Sequence, residues 1–174
     1  MAWLRRKFEL PISKKKYLSM VSGSEAGIAT TSAIIAGLVT STDNRSIVVI
    51  SAFVALLVQG FNSALNYVET AYAATEIDSR VQKPSIIKPL IEAGIQFITH
   101  VAASLIVLIP IIWVRDLHYA LIYSIIVALI MLFLIGFGIG KTVRSNHIKH
   151  AVQSMLLGAL VISGGLIAGL VVNN

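Results

Sequence analysis

Gln59, Asn62, Asn66 and Glu69 recur at intervals of 3, 4 and 3 within an otherwise apolar stretch. At 100° per residue they share an arc of about 80° on one helix face, which Glu76 continues past small Ala73. Carboxylate and amide oxygens in a row suit hard or borderline divalent cations such as Mn²⁺ and Fe²⁺, and a carboxylate at the mouth of such a row can exchange a proton for metal. The same row could also serve as interhelical glue, at about 0.6 kcal/mol per hydrogen bond. An ionised side chain at mid-bilayer costs at least about 2.5 to 3.5 kcal/mol, so a stripe ending in an acid points to a cation path ahead of structural bonding.

Other acids are expected at the same mouth. Glu25 lies about one turn inside the first apolar segment, ahead of Thr30, Thr31 and Ser32, and Glu92, Gln96 and His100 fall on roughly one helix face. Near the headgroups Glu69, Glu76 and Glu92 could each be solvated or paired with Arg80, Lys83 or Lys88 instead. His147 and His150 flank Lys149 as interfacial residues, and His100 could be a satisfied intramembrane donor, so the histidines receive little weight.

The elements that must position these groups are membrane helices. Residues 47–68, 93–114, 119–140 and 151–172 each run 22 residues without an acid, lysine or arginine, enough to cross hydrocarbon as helix. A fifth segment, 21–42, is more polar and is accepted on charge. Six Lys/Arg precede it, and successive connections carry 1, 3, 1 and 3, with none after the last segment, which gives twelve against two. The positive-inside rule then places the N-terminus in the cytoplasm and the C-terminus outside, which needs an odd number of spans. The expected fold is an all-α polytopic membrane protein with five transmembrane helices, about 21–42, 47–74, 90–114, 119–140 and 151–172, in one domain over 21–174. Residues 1–20 are expected to form a basic interfacial arm, with Trp3, Leu4, Phe8, Leu10 and Ile12 among its bases.

Composition agrees. The 174 residues are 56% hydrophobic and 13% charged, with mean hydropathy +0.84, leaving little beyond short loops outside the membrane. The net charge of +6 sits at helix ends, where it complements anionic lipid, so nucleic acid is not an expected partner. The absence of cysteine excludes disulfides, thiolate metal sites and a Cys nucleophile. Arg5-Arg6-Lys7-Phe8 superficially matches a twin-arginine signal without a cleavage site. The Gly136–Thr142 run is one residue short of a phosphate-binding loop, and Ser22 lacks nucleophile-elbow spacing. No enzyme activity and no resident cofactor are expected. Gly23/Gly27, Gly136/Gly140 and Gly165/Gly169 should let backbones approach closely, by generic packing ahead of a dimer seam, while Pro110 should kink the third span.

With Glu25-Ala26-Gly27-Ile28-Ala29-Thr30-Thr31 running on to Ala36-Gly37, with Gly60-Phe61-Asn62-Ser63-Ala64, Tyr67 and Glu69 or Glu76, and with a glycine-rich last span from Gly158 to Gly169, the chain resembles the vacuolar iron transporters and their prokaryotic relatives. The resemblance covers most of the chain and is distant. It implies five spans with a cytoplasmic N-terminus, and export of Fe²⁺ or Mn²⁺ from the cytoplasm, in exchange for protons, by a homodimer whose path is lined by spans one and two. Three departures stand out. Ala26 occupies the position where the family usually has Asp, with the acid one residue earlier as Glu25, and Asn62 or Ser63 stands where a methionine is usual. The connection from Asp78 to Lys88 has no room for the metal-collecting domain of longer members.

The expected function is therefore divalent iron or manganese transport in a multi-pass protein, at the cell membrane if the chain is prokaryotic. Glu25 and Glu69 are assigned as ion-exchanging acids and Gln59, Asn62 and Asn66 as neutral ligands, with Glu76 and Glu92 completing the metal set. The competing reading is a non-transporting scaffold or lipid-binding protein of the same fold, whose stripe would be dry.

Overall fold

The computed structural model describes residues 14–77 and 86–173. The first thirteen residues of the expected basic arm, and the connection holding Asp78, Arg80 and Lys83, lie outside the described residues. Five helices follow in order: α1 (Lys14–Ser41), α2 (Arg45–Ile77), α3 (Ile87–Trp113), α4 (Leu117–Thr142) and α5 (His147–Asn173), and no strand occurs among the described residues. Helices α2 to α5 are each long and apolar enough to cross a membrane. Even α4, the shortest at 26 residues, extends about 39 Å against a hydrocarbon thickness of about 30 Å.

Helix α1 falls short of that apolarity, and its position explains why. It packs against all four other helices, most extensively α3 and α5. Its hydroxyls are largely returned to its own backbone: Ser24 donates to the Met20 carbonyl (2.9 Å), Thr30 to Ala26 (2.7 Å), Ser32 to Ile28 (2.6 Å) and Thr40 to Ala36 (2.9 Å). A helix enclosed by its neighbours, with most of its hydroxyls bonded internally, needs less apolar surface than one facing lipid.

Glycine contacts give the directions. A methyl group on Gly27 would stand 2.5 Å from the His100 carbonyl oxygen, and one on Gly23 would overlap the Gln96 carbonyl. Contacts therefore advance along α1 and α3 together, and the two run parallel. Gly165 and Gly169 meet Ala33 and Gly37 in the same way, making α5 parallel to α1, while Gly136 and Gly140 press on His150 and His147 across the antiparallel α4–α5 pair. All three small-residue pairs are thus used inside the bundle.

Caps and ties fix the turns. Asp116 accepts the His118 and Tyr119 amides at the start of α4, Asn146 accepts the Lys149 amide at the start of α5, and Asn44 accepts the Ile47 amide at the start of α2. Arg45 donates to the Arg115 carbonyl (2.6 Å), joining the α1–α2 and α3–α4 connections. Arg144 ends α4 in the left-handed region (φ 56°), with the Ser145 amide donating to the Gly140 carbonyl, a Schellman closure. Helix α3 continues through Pro110 to Trp113.

The core is aliphatic, including Ile28, Ile35, Leu56, Val107, Ile111 and Leu132, while Ile98, Leu134, Leu160 and Val171 face outward. Because the helices alternate in direction, Lys16, Lys88, Lys141, Arg144 and Lys149 gather at one end, hereafter the basic end. Asp43, Arg45, Arg115 and Asp116 lie at the other.

Candidate functional site

Helix α2 buries one face, through Val48, Ala52, Leu56 and Gly60, against the bundle. The stripe lies elsewhere. Gln59, Asn62, Asn66 and Glu69 are all exposed, on the outward side of α2 among Val58, Phe61 and Leu65. The glue reading expects this stripe to bond neighbouring helices of its own chain. Residues beside it bond across to α3 instead: Gln96 Nε2 donates to Ser63 Oγ (2.8 Å), and the Tyr67 hydroxyl donates to Glu92 Oε2 (2.6 Å). Toward the end opposite the basic one, Ser51, Ala55 and Gln59 line a shallow groove on the same outward side.

The other expected ligands are distributed differently. Glu92 is half-buried on α3 and bonded to Tyr67, so it belongs to the α2–α3 contact. Glu25 is half-buried on α1 and opens, with Ser22 and Ser154, into an apolar groove of about 540 Å³ between α1, α4 and α5. No residue of the α2 stripe lines that groove. The backbone of Glu76 extends α2, and its side chain lies outside the described residues. Among the described residues no three of His, Asp and Glu come together as a metal site.

What each group can do chemically follows from its placement. An amide or carboxylate facing hydrocarbon without a partner costs several kcal/mol, so the outward stripe requires water, an ion or polar atoms of another molecule. Glu69 is the anionic end of that row, and Asn66, Asn62 and Gln59 offer neutral oxygens along about 15 Å of helix.

A second polar row runs inside the bundle. Glu92, Gln96, His100 and Ser104 follow one another at intervals of four on α3, and the last three are buried. Ser104 donates to the Gly27 carbonyl (3.0 Å) and, beyond it, Ser124 of α4 donates to the Val107 carbonyl (2.9 Å). Gln96 Oε1, both ring nitrogens of His100 and Thr31 Oγ1 are buried without a hydrogen-bond partner. The face shared by Glu92, Gln96 and His100 was legible from spacing alone. The partners Ser63 and Tyr67, which come from another helix, were not.

A family model described as the VIT family matches residues 66–170, more than half of the chain. The matched stretch contains Asn66, Glu69, Glu76 and Glu92 and leaves Glu25, Gln59 and Asn62 outside it. No curated protein matches the chain.

Proposed function

The chain belongs to the VIT family, the vacuolar iron transporters, and is a multi-pass membrane protein; from that premise we propose that it is a homodimeric carrier of Fe²⁺ or Mn²⁺ that exports the ion from the cytoplasm in exchange for protons. The observation that carries the proposal is the outward placement of Gln59, Asn62, Asn66 and Glu69 on a helix apolar enough to cross a membrane. A second copy packed against this face would enclose two stripes between two α2 helices. It would replace a costly lipid contact with a polar, hydrated seam. Small Ser51, Ala55 and Ala73 along the outward side of α2 favour close approach of such a partner.

In this reading α1 is the fifth span, enclosed by its neighbours, and the basic end faces the cytoplasm by the positive-inside rule. Metal enters at Glu69, with Glu76 beyond it toward the same mouth, and passes along the neutral oxygens of Asn66, Asn62 and Gln59. Glu69 releases a proton to the cytoplasmic side when it takes metal and regains one from that side when empty, so it carries no net proton across. Glu92 helps set the position of α2 through Tyr67. Glu25, in its separate groove, has a secondary role.

The test is uptake of Mn²⁺ and Fe²⁺ by purified protein in liposomes with an imposed pH gradient, recording internal pH. We expect metal entry with proton exit, reduced at least tenfold by Glu69→Gln and by Asn66→Leu in folded protein, and less by Glu25→Gln. Wild-type flux in both α2 variants would overturn the assignment of the path.

The absence of a three-ligand His/Asp/Glu cluster among the described residues, together with Ala26 in the usual Asp position, favours one alternative, a non-transporting scaffold or lipid-binding protein. The two differ in hydration. With Asn66→Cys, a carrier admits a charged thiol reagent from the cytoplasmic side, whereas a dry structural seam does not.

A further inference from the structure

His100 is 1% exposed and Gln96 5%, both within an α3 segment apolar enough to cross a membrane. Burial of that depth without a partner is unusual, because more than nine-tenths of buried polar groups are bonded to protein or to ordered water. Here four buried side-chain atoms, on three residues of α1 and α3, lack a protein partner. Gln96 already spends its Nε2 on Ser63, leaving Oε1. His100 has both nitrogens open, and its ring lies against Gly60, where a methyl group would come within 3.3 Å of Cδ2.

We infer that the row Glu92–Gln96–His100–Ser104 holds internal water and forms a proton path within each protomer, separate from the metal stripe on the outward face of α2. Water is the chemistry these atoms fit. Carbonyl-type oxygen, imidazole nitrogen and hydroxyl at successive turns supply the two to four polar contacts that an internal water needs. From Glu92 to Ser104 the row covers about 18 Å, more than half of the hydrocarbon thickness, and Ser124 continues it away from the basic end. Glu92, held by Tyr67, is its entrance.

The step at His100 balances simply. A proton delivered by water on the Glu92 side binds the unprotonated ring nitrogen, giving an imidazolium. The proton on the other nitrogen then leaves to water on the Ser104 side, and the ring resets its tautomer. Imidazole suits such a relay because its neutral form carries one donor and one acceptor nitrogen. Gly27 of α1 and Gly60 of α2 lie against α3 at this turn, and the ionisable groups at the mouth of the row are Glu92 and Tyr67. The proton-exchange role rests on the carrier reading above; the hydration of the row does not.

Two measurements on the full chain separate these claims. In nanodiscs with ¹⁵N-labelled histidine, His100 being assigned from its loss in His100→Gln, magnetisation should build up from water about as fast at His100 as at exposed His118. Build-up at least tenfold slower would overturn the internal-water path. In Mn²⁺-loaded liposomes, His100→Gln should retain metal flux within about twofold while the protons moved per metal fall at least tenfold. An unchanged ratio would overturn the proton role while leaving metal transport intact. Should His100→Gln fail to fold, Gln96→Met, which places a thioether in the row, carries the same comparison. Absence of metal flux in the wild type would overturn the carrier reading and with it the exchange role, and the nanodisc result alone would then decide whether the row is wet.

Discussion

Tyr67 and Glu92 show what a single side chain contributes to this bundle. Their 2.6 Å bond links α2 to α3 near the basic end, and Tyr67→Phe removes the donor while keeping the ring. We expect a loss of about 1 kcal/mol in unfolding free energy, within the range measured for interhelical hydrogen bonds in membranes, read by denaturation in detergent. Residue spacing foretold that Gln59, Asn62, Asn66 and Glu69 share a face, and they do. It could not foretell which neighbour covers a face, since periodicity refers each residue only to its own helix axis. Glu25, expected at the same mouth as the α2 acids, opens toward α4 and α5.

Among the elements, glycine contacts discriminate sharply. A methyl group at Gly27 meets the His100 carbonyl at 2.5 Å and the Ser104 hydroxyl at 2.9 Å, whereas one at Gly164 meets nothing within 4 Å. Gly27→Ala should cost about 1 to 3 kcal/mol by overpacking, and Gly164→Ala should be neutral or stabilise by about 0.5 to 1 kcal/mol, both checked by thermal unfolding. Arg144 holds a left-handed position that glycine adopts without penalty, so Arg144→Gly should raise stability by about 1 kcal/mol in the same assay. All five helices were legible in the sequence, their ends less so. Apolar windows register only the hydrocarbon portion, while polar and charged residues continue the helix into the headgroup layer. Hence α2 starts at Arg45 and runs to Ile77, and α1 begins at Lys14, inside the stretch expected to lie on the surface.

For the whole molecule, the proposed homodimer closes the outward stripe of α2 with a second copy. Cysteine at position 62 or 66 on each copy should form a disulfide across the seam under mild oxidation, while cysteine at outward Leu160 on α5 should not, as read by nonreducing electrophoresis. Equal cross-linking at all three positions would remove the α2 seam. The enclosure of α1 has a consequence for how the molecule is made. Of the five helices, α1 leaves the ribosome before the others and is the one least able to remain alone in lipid, and its contact with Gly165 and Gly169 waits for α5 to be synthesised. Through most of synthesis α1 depends on temporary shelter, from the insertion machinery or from α2 and α3. Release of the nascent chain before α5 should then leave a fragment that quality-control proteases recognise by its first helix, far from the point of truncation.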